Sequence, residues 1–150
     1  MAIPSSAEGN YSAGVGSAIP AGVVGGLAGG IVFGLAMQFM GMIPMIAMLV
    51  GSESAAVGWI IHLGISSFIG ATFALLVRGR AIGTGKAAGL GVAYGAVWWV
   101  LGPLLIMPAR LGMPLFMIND MAIQSLIGHL LYGAILGITY SAVRPRLGFQ

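Results

Sequence analysis

Four long apolar runs organise this chain, at roughly residues 18–40, 55–77, 87–107 and 121–143. Each is close to the ~20 residues that carry a helix across ~30 Å of hydrocarbon. No charged residue falls inside any of them. The pattern therefore predicts four transmembrane helices joined by three connections. The middle connection, Arg78-Gly-Arg-Ala-Ile-Gly-Thr-Gly-Lys86, is short and basic. The other two, Gly41 to Ser52 and Pro108 to Asn119, are themselves apolar. They are too short to span, and stretches of that length are usually re-entrant or interfacial. Each runs into a polar residue and an acid, Ser52-Glu53 and Asn119-Asp120. A serine or asparagine followed by a carboxylate makes a good helix N-terminus.

A longer period lies over this pattern. His62 and His129, the two histidines of the chain, are 67 positions apart (129 − 62). Ala21-Gly22 is echoed at the same offset by Ala88-Gly89, Met40 by Met107 and Ala55 by Ala122. Ile60 is echoed by Ile127, Leu63 by Leu130, Gly70 by Gly137 and Thr72 by Thr139. The register runs without a gap, which argues for a tandem duplication. The expected organisation is a flexible tail (1–16), repeat 1 (17–80), repeat 2 (81–146) and a short C-terminal tail (147–150). The first span is expected to begin near Pro20, a tolerated first-turn position. The fold class is an all-α membrane four-helix bundle built from two parallel hairpins. A pseudo-twofold axis along the membrane normal then sets the two histidines at one depth.

Composition removes the alternatives. Hydrophobic residues make up 59% and charged residues 6%, against about 25% charged in soluble domains. With six basic residues, the basic balance reads as topology and not as nucleic-acid binding. Arg78, Arg80, Lys86, Arg144 and Arg146 share one side and only Arg110 lies opposite. The positive-inside rule puts both termini in the cytoplasm, which suits a prokaryotic inner membrane. The chain has no cysteine, so disulfides, thiolate metal sites and Cys-held clusters are excluded. Gly83-Thr84-Gly85-Lys86 lacks phosphate-loop spacing. No Ser/His/acid arrangement is readable, so enzymatic hydrolysis is not expected.

Two kinds of face carry candidate chemistry. Gly22, Gly26, Gly30 and Gly34 form a small-xxx-small ridge on span one. Such ridges let helices approach closely in lipid. The ridge suits a contact with other subunits or a homo-oligomer, although packing within the monomer is the favoured reading. On the second span of each repeat, His62, Ser66 and Gly70, and His129, Gly133 and Gly137, are spaced i, i+4, i+8 and share a face. Each histidine thus looks down a groove that another helix or a flat ligand must fill.

The sharpest chemical reading is a b-type haem with His62 and His129 as metal ligands. Ser66, Gly70, Gly133 and Gly137 make room for the macrocycle, and Trp98, Trp99, Tyr94 and Tyr132 are candidate pocket walls. The chain is then a non-enzymatic subunit of a membrane redox complex. The bland alternative is that each histidine hydrogen-bonds a neighbouring helix or handles protons. Another alternative is a small channel or transporter, lined by the histidines with Gln38, Gln124, Thr72 and Thr139. There, Gly102-Pro103 is the candidate break in a span. The last is copper handling. Met37, Met40, Met42, Met45 and Met48 crowd one outer segment, and Met107, Met113, Met117 and Met121 the other. Thioethers are soft ligands for Cu(I).

The run Trp99-Val-Leu-Gly-Pro-Leu-Leu-Ile-Met-Pro108, followed by Gly128-His-Leu-Leu-Tyr-Gly133, resembles small uncharacterised bacterial and archaeal multi-span proteins of the YagU type. The resemblance covers mainly the second repeat. It implies a polytopic inner-membrane protein, assigns no activity and carries over no site residue.

Overall fold

The computed structural model describes residues 6–147, with side chains from 14 to 144. Of the expected tails, 1–16 and 147–150, residues 1–5 and 148–150 lie outside the described residues. Among the described residues the chain is helical, without strands: α1 (Ser6–Phe39), α2 (Ile43–Ala47), α3 (Ala55–Leu76), α4 (Thr84–Leu101), α5 (Met107–Leu111) and α6 (Asp120–Leu147). Four stretches are long and apolar enough to cross a membrane: Gly14–Phe39, Ala55–Leu76, Thr84–Leu111 and Asp120–Arg144. By length and composition this is a multi-pass membrane protein.

α1 begins earlier than the sequence suggests. Residues from Ser6 to Gly16 are its first turns, and Pro20 lies inside the helix rather than at its start. A proline there removes one backbone donor. Local polar groups help this end. Ser17 Oγ donates to the Gly14 carbonyl at 3.1 Å. Arg144 donates to the same carbonyl at 3.1 Å and to that of Gly79 at 2.9 Å.

The third span also departs from expectation. Gly102-Pro103 does not break it. A π turn over Gly102–Ile106 carries α4 directly into α5. The wider turn accommodates the proline by admitting one extra residue. Pro108 then leaves the Leu104 carbonyl without its helical donor. The backbone N–H of Phe116 fills that place at 2.8 Å. This bond docks the 113–119 segment back onto the helix, so it lies across the end of the molecule. On the other hairpin α2 and a short 3-10 turn (Met48–Val50) do the same, ending at Gly51 in the left-handed region.

The two second spans start differently. Asn119 caps α6 as expected, accepting the Ala122 N–H at 2.9 Å. α3 starts two residues later than a cap at Ser52 implies. Its cap is Ser54, whose side chain makes no capping bond. Ser52 Oγ instead accepts the Ser54 N–H at 3.2 Å.

Helix packing follows side-chain size. α1 packs against α3 and α6, and α4 packs against α6. Gly22, Gly26, Gly30 and Gly34 all face α3, meeting Gly70, Ser66 and the rings of Trp59 and His62. The ridge is therefore covered within the monomer and is not a free oligomer face. A methyl group at Gly22 or Gly26 would run into a backbone carbonyl of α3. Gly25 and Gly29 lie against Leu136 and Tyr132 of α6. In the other hairpin Gly91 meets Gly133, Gly95 meets the His129 backbone, and Ala87 meets Gly137.

The spacing on the first spans differs from that on the second. Gly22 meets Gly70, whereas Ala87 meets Gly137. First-span positions that face second-span residues 67 apart (137 − 70) are thus 65 apart (87 − 22). The extra two residues fall in the longer connection of the second hairpin.

α3 and α4 share no close backbone interface. Large side chains bridge them: Thr72 Oγ1 and the Tyr94 hydroxyl are 2.6 Å apart. Phe73 stacks on Tyr94 and Phe68 on Trp98, with ring centroids 5.5 and 6.1 Å apart.

Candidate functional site

The gap left between α3 and α4 opens into a cavity of about 430 Å³ in the half of the molecule that carries α2 and α5. Its walls are α1, α3, the π turn and α6. α2, α5 and the 113–119 segment close its end. Both histidines line it, with Ser66, Ser125, Tyr132 and Asn119 as further polar side chains. No charged side chain is among the lining residues.

Methionine dominates the rest of the wall. Met37, Met42 and Met45 come from the first hairpin, and Met107, Met113, Met117 and Met121 from the second. Met40 and Met48, which the sequence grouped with them, are exposed elsewhere. Seven of the ten methionines in the chain thus surround one space. Scattered core filling would not concentrate them so.

The histidines are held by different nitrogens. His62 Nε2 lies 2.9 Å from the Gly30 carbonyl. A carbonyl only accepts, so this nitrogen carries the proton and Nδ1 holds a lone pair. His129 Nδ1 lies 2.8 Å from the Ser125 carbonyl one turn back. Its Nδ1 is the donor and its Nε2 holds the lone pair. Among the described residues neither remaining nitrogen has a hydrogen-bond partner.

Phe33 of α1 joins the two rings. Its ring meets His62 edge-on at 5.7 Å and His129 at 4.9 Å between centroids. It fits because position 128 is glycine, and a side chain there would strike the phenyl ring. No sequence pattern marks this contact, since Phe33 is one apolar residue among many on α1.

The small residues beside the histidines are filled by helices. Gly70 faces α1, and Gly133 and Gly137 face α4. The Ser66 carbonyl accepts the Tyr132 hydroxyl at 2.8 Å. Of the residues expected to flank a macrocycle, Ser66 lines the cavity and the three glycines do not. Trp98 and Tyr132 are walls as expected, while Trp99 and Tyr94 lie outside. Trp99 donates to the Ala122 carbonyl at 2.8 Å. Gln38, Gln124, Thr72 and Thr139 are also absent from the wall. Gln38 accepts from the Trp59 indole at 3.0 Å.

Among the described residues, no three His, Cys, Asp or Glu side chains converge as a metal site. Comparison with known protein families, curated proteins and solved structures finds no match.

Proposed function

We propose that this chain is a small, duplicated two-hairpin bundle that admits a neutral organic molecule into the cavity between its halves, in the class of small channels and transporters. The basic connection at Arg78–Lys86 and the tail beyond α6 then face the cytoplasm, and the methionine-walled end faces outward.

The observation that carries this reading is the cavity itself. A volume of about 430 Å³ falls within the roughly 300–1,000 Å³ typical of small-molecule sites. Its wall is apolar with a few convergent polar groups, and the absence of charge favours a neutral occupant. Methionine is the flexible apolar residue used where a surface must adapt to its ligand. Ile65, Phe68 and Ile106 line the cavity and are also exposed on the outer surface of the helices. The α3–α4 gap therefore offers a route from the bilayer.

Saturable stabilisation tests it. Purified protein titrated with small neutral amphiphiles is expected to gain thermal stability as sites fill. Ser125→Phe, which projects a ring into the cavity, is expected to abolish that gain. No saturable stabilisation by any compound in the series sinks the proposal.

Copper handling is the second reading, favoured by seven thioethers and two imidazole lone pairs around one space. Size argues against it as the main role. A bound ion draws its donors to within roughly 2–2.3 Å, whereas this cavity holds them apart around a molecule-sized volume. Competition with a Cu(I)-specific chelator decides between them.

A haem between the histidines ranks third. The Phe33 ring stands against both imidazoles, and His62 Nε2 is engaged by Gly30. Both would have to move to admit a macrocycle. A Soret band from purified protein would restore that reading.

A further inference from the structure

We infer that the ligand of this cavity is a hydrogen-bond donor, a neutral alcohol or phenol whose single O–H is accepted by one of the two imidazole lone pairs, His62 Nδ1 or His129 Nε2. The inference rests on the cavity reading above and adds the polarity of the ligand.

The argument starts from the backbone. Gly30 and Ser125 present carbonyl oxygens to the two imidazoles at 2.9 and 2.8 Å. Because carbonyls cannot donate, each histidine must spend its proton on the backbone. No carboxylate lines the cavity to balance a second proton on either ring. Both rings line the cavity, and each retains one acceptor with no hydrogen-bond partner among the described residues. The hydrogen bonds use opposite nitrogens, so the acceptors are fixed by two unrelated contacts that lead to the same result.

The remaining polar groups at this depth do not reverse that balance. The Tyr132 hydroxyl is committed to the Ser66 carbonyl at 2.8 Å. The Trp98 indole N–H is sealed in the wall, with no acceptor among the described residues. Asn119, at the exposed rim, uses its carbonyl oxygen to cap α6. Ser66 and Ser125 add hydroxyls that donate as well as accept, so the two imidazole nitrogens are the side-chain atoms of this region that only accept. An occupant without a donor leaves two buried acceptors unpaired, which is the costly arrangement.

A matched pair of probes tests this. 1-Naphthol and 1-methoxynaphthalene share a ring system and differ in the O–H. Their binding to the full chain in phosphatidylcholine nanodiscs is measured against empty nanodiscs, to correct for partition into lipid. The expected result is a preference of roughly tenfold for naphthol, the size of one well-made hydrogen bond in a dry site. A red shift of the naphthol absorption should accompany binding, as its O–H joins a nitrogen acceptor. His129→Leu is expected to lessen the preference. The methyl ether provides the same test in the unmutated protein should that variant misfold. Equal binding of both probes overturns the inference and leaves the cavity reading intact. Binding of neither above the lipid background overturns the cavity reading itself.

Discussion

The α1–α3 contact and the α3–α4 contact share a helix and an apolar composition, yet they behave oppositely. On one side Gly22, Gly26 and Gly30 face Gly70 and Ser66, and the backbones close until carbonyls approach Cα atoms. On the other, Phe68, Phe73, Tyr94 and Trp98 stand between the axes and hold them apart. The difference lies in side-chain volume, since lipid gives no hydrophobic drive to bring helices together. Small residues close one seam, and large ones prop the other open around a cavity.

Reversing the tight seam should have the largest effect. Gly26→Leu would drive a branched side chain into the Ser66 backbone of α3. Overpacking costs typically about 1–3 kcal/mol and more where backbone must move. The expected outcome is loss of folded protein by size-exclusion chromatography, and Gly133→Leu, which meets Gly91 in the α4–α6 contact, should behave alike. Phe33→Ala comes next. It removes the ring that links both histidines and enlarges the cavity. Core phenylalanine truncations cost about 3–5 kcal/mol, and the lower end is expected because the site already borders open space. Chemical denaturation measures this loss. Substitution of His62 should be milder. His62→Leu removes the Gly30 bond, and interhelical hydrogen bonds in membranes average about 0.6 kcal/mol, reaching about 1.7. The smallest effect is expected at the propped seam. Thr72→Val deletes the hydroxyl pair with Tyr94 for about 0.6 kcal/mol. If Thr72→Val instead proves as damaging as Gly26→Leu, the two seams are not distinct in kind.

These contrasts show which parts of the structure sequence patterns can reveal. The four spans were legible because charge is absent from long runs, and the glycine ridge because spacing of four places residues on one face. Asn119 was legible as a cap, but Ser52 was not distinguishable from Ser54, since both precede an apolar helix. Pro20 and Pro103 were misread as a start and a break. Proline marks a missing donor, and the sequence does not tell whether the helix can continue around it. At the site, the histidines stood out as rare polar residues in apolar surroundings. Phe33 did not, because its importance comes from Gly128 on a distant helix. The grooves beside the histidines were visible, but their occupants, the backbones of α1 and α4, are a matter of tertiary arrangement. The methionines were visible as two crowded segments, and only folding brings seven of them around one space.

The π turn at Gly102–Ile106 gives the third span a mechanical side. A helix with one surplus residue holds a rotation in reserve, about 100° for each residue gained or lost. If the turn relaxed to a regular α-helix, everything beyond it would turn about the axis while the rod stays whole. Met107, Pro108 and the strap pinned by Phe116 would sweep across the mouth together, like a key turning in a barrel, with Trp98 and the propped seam left in place.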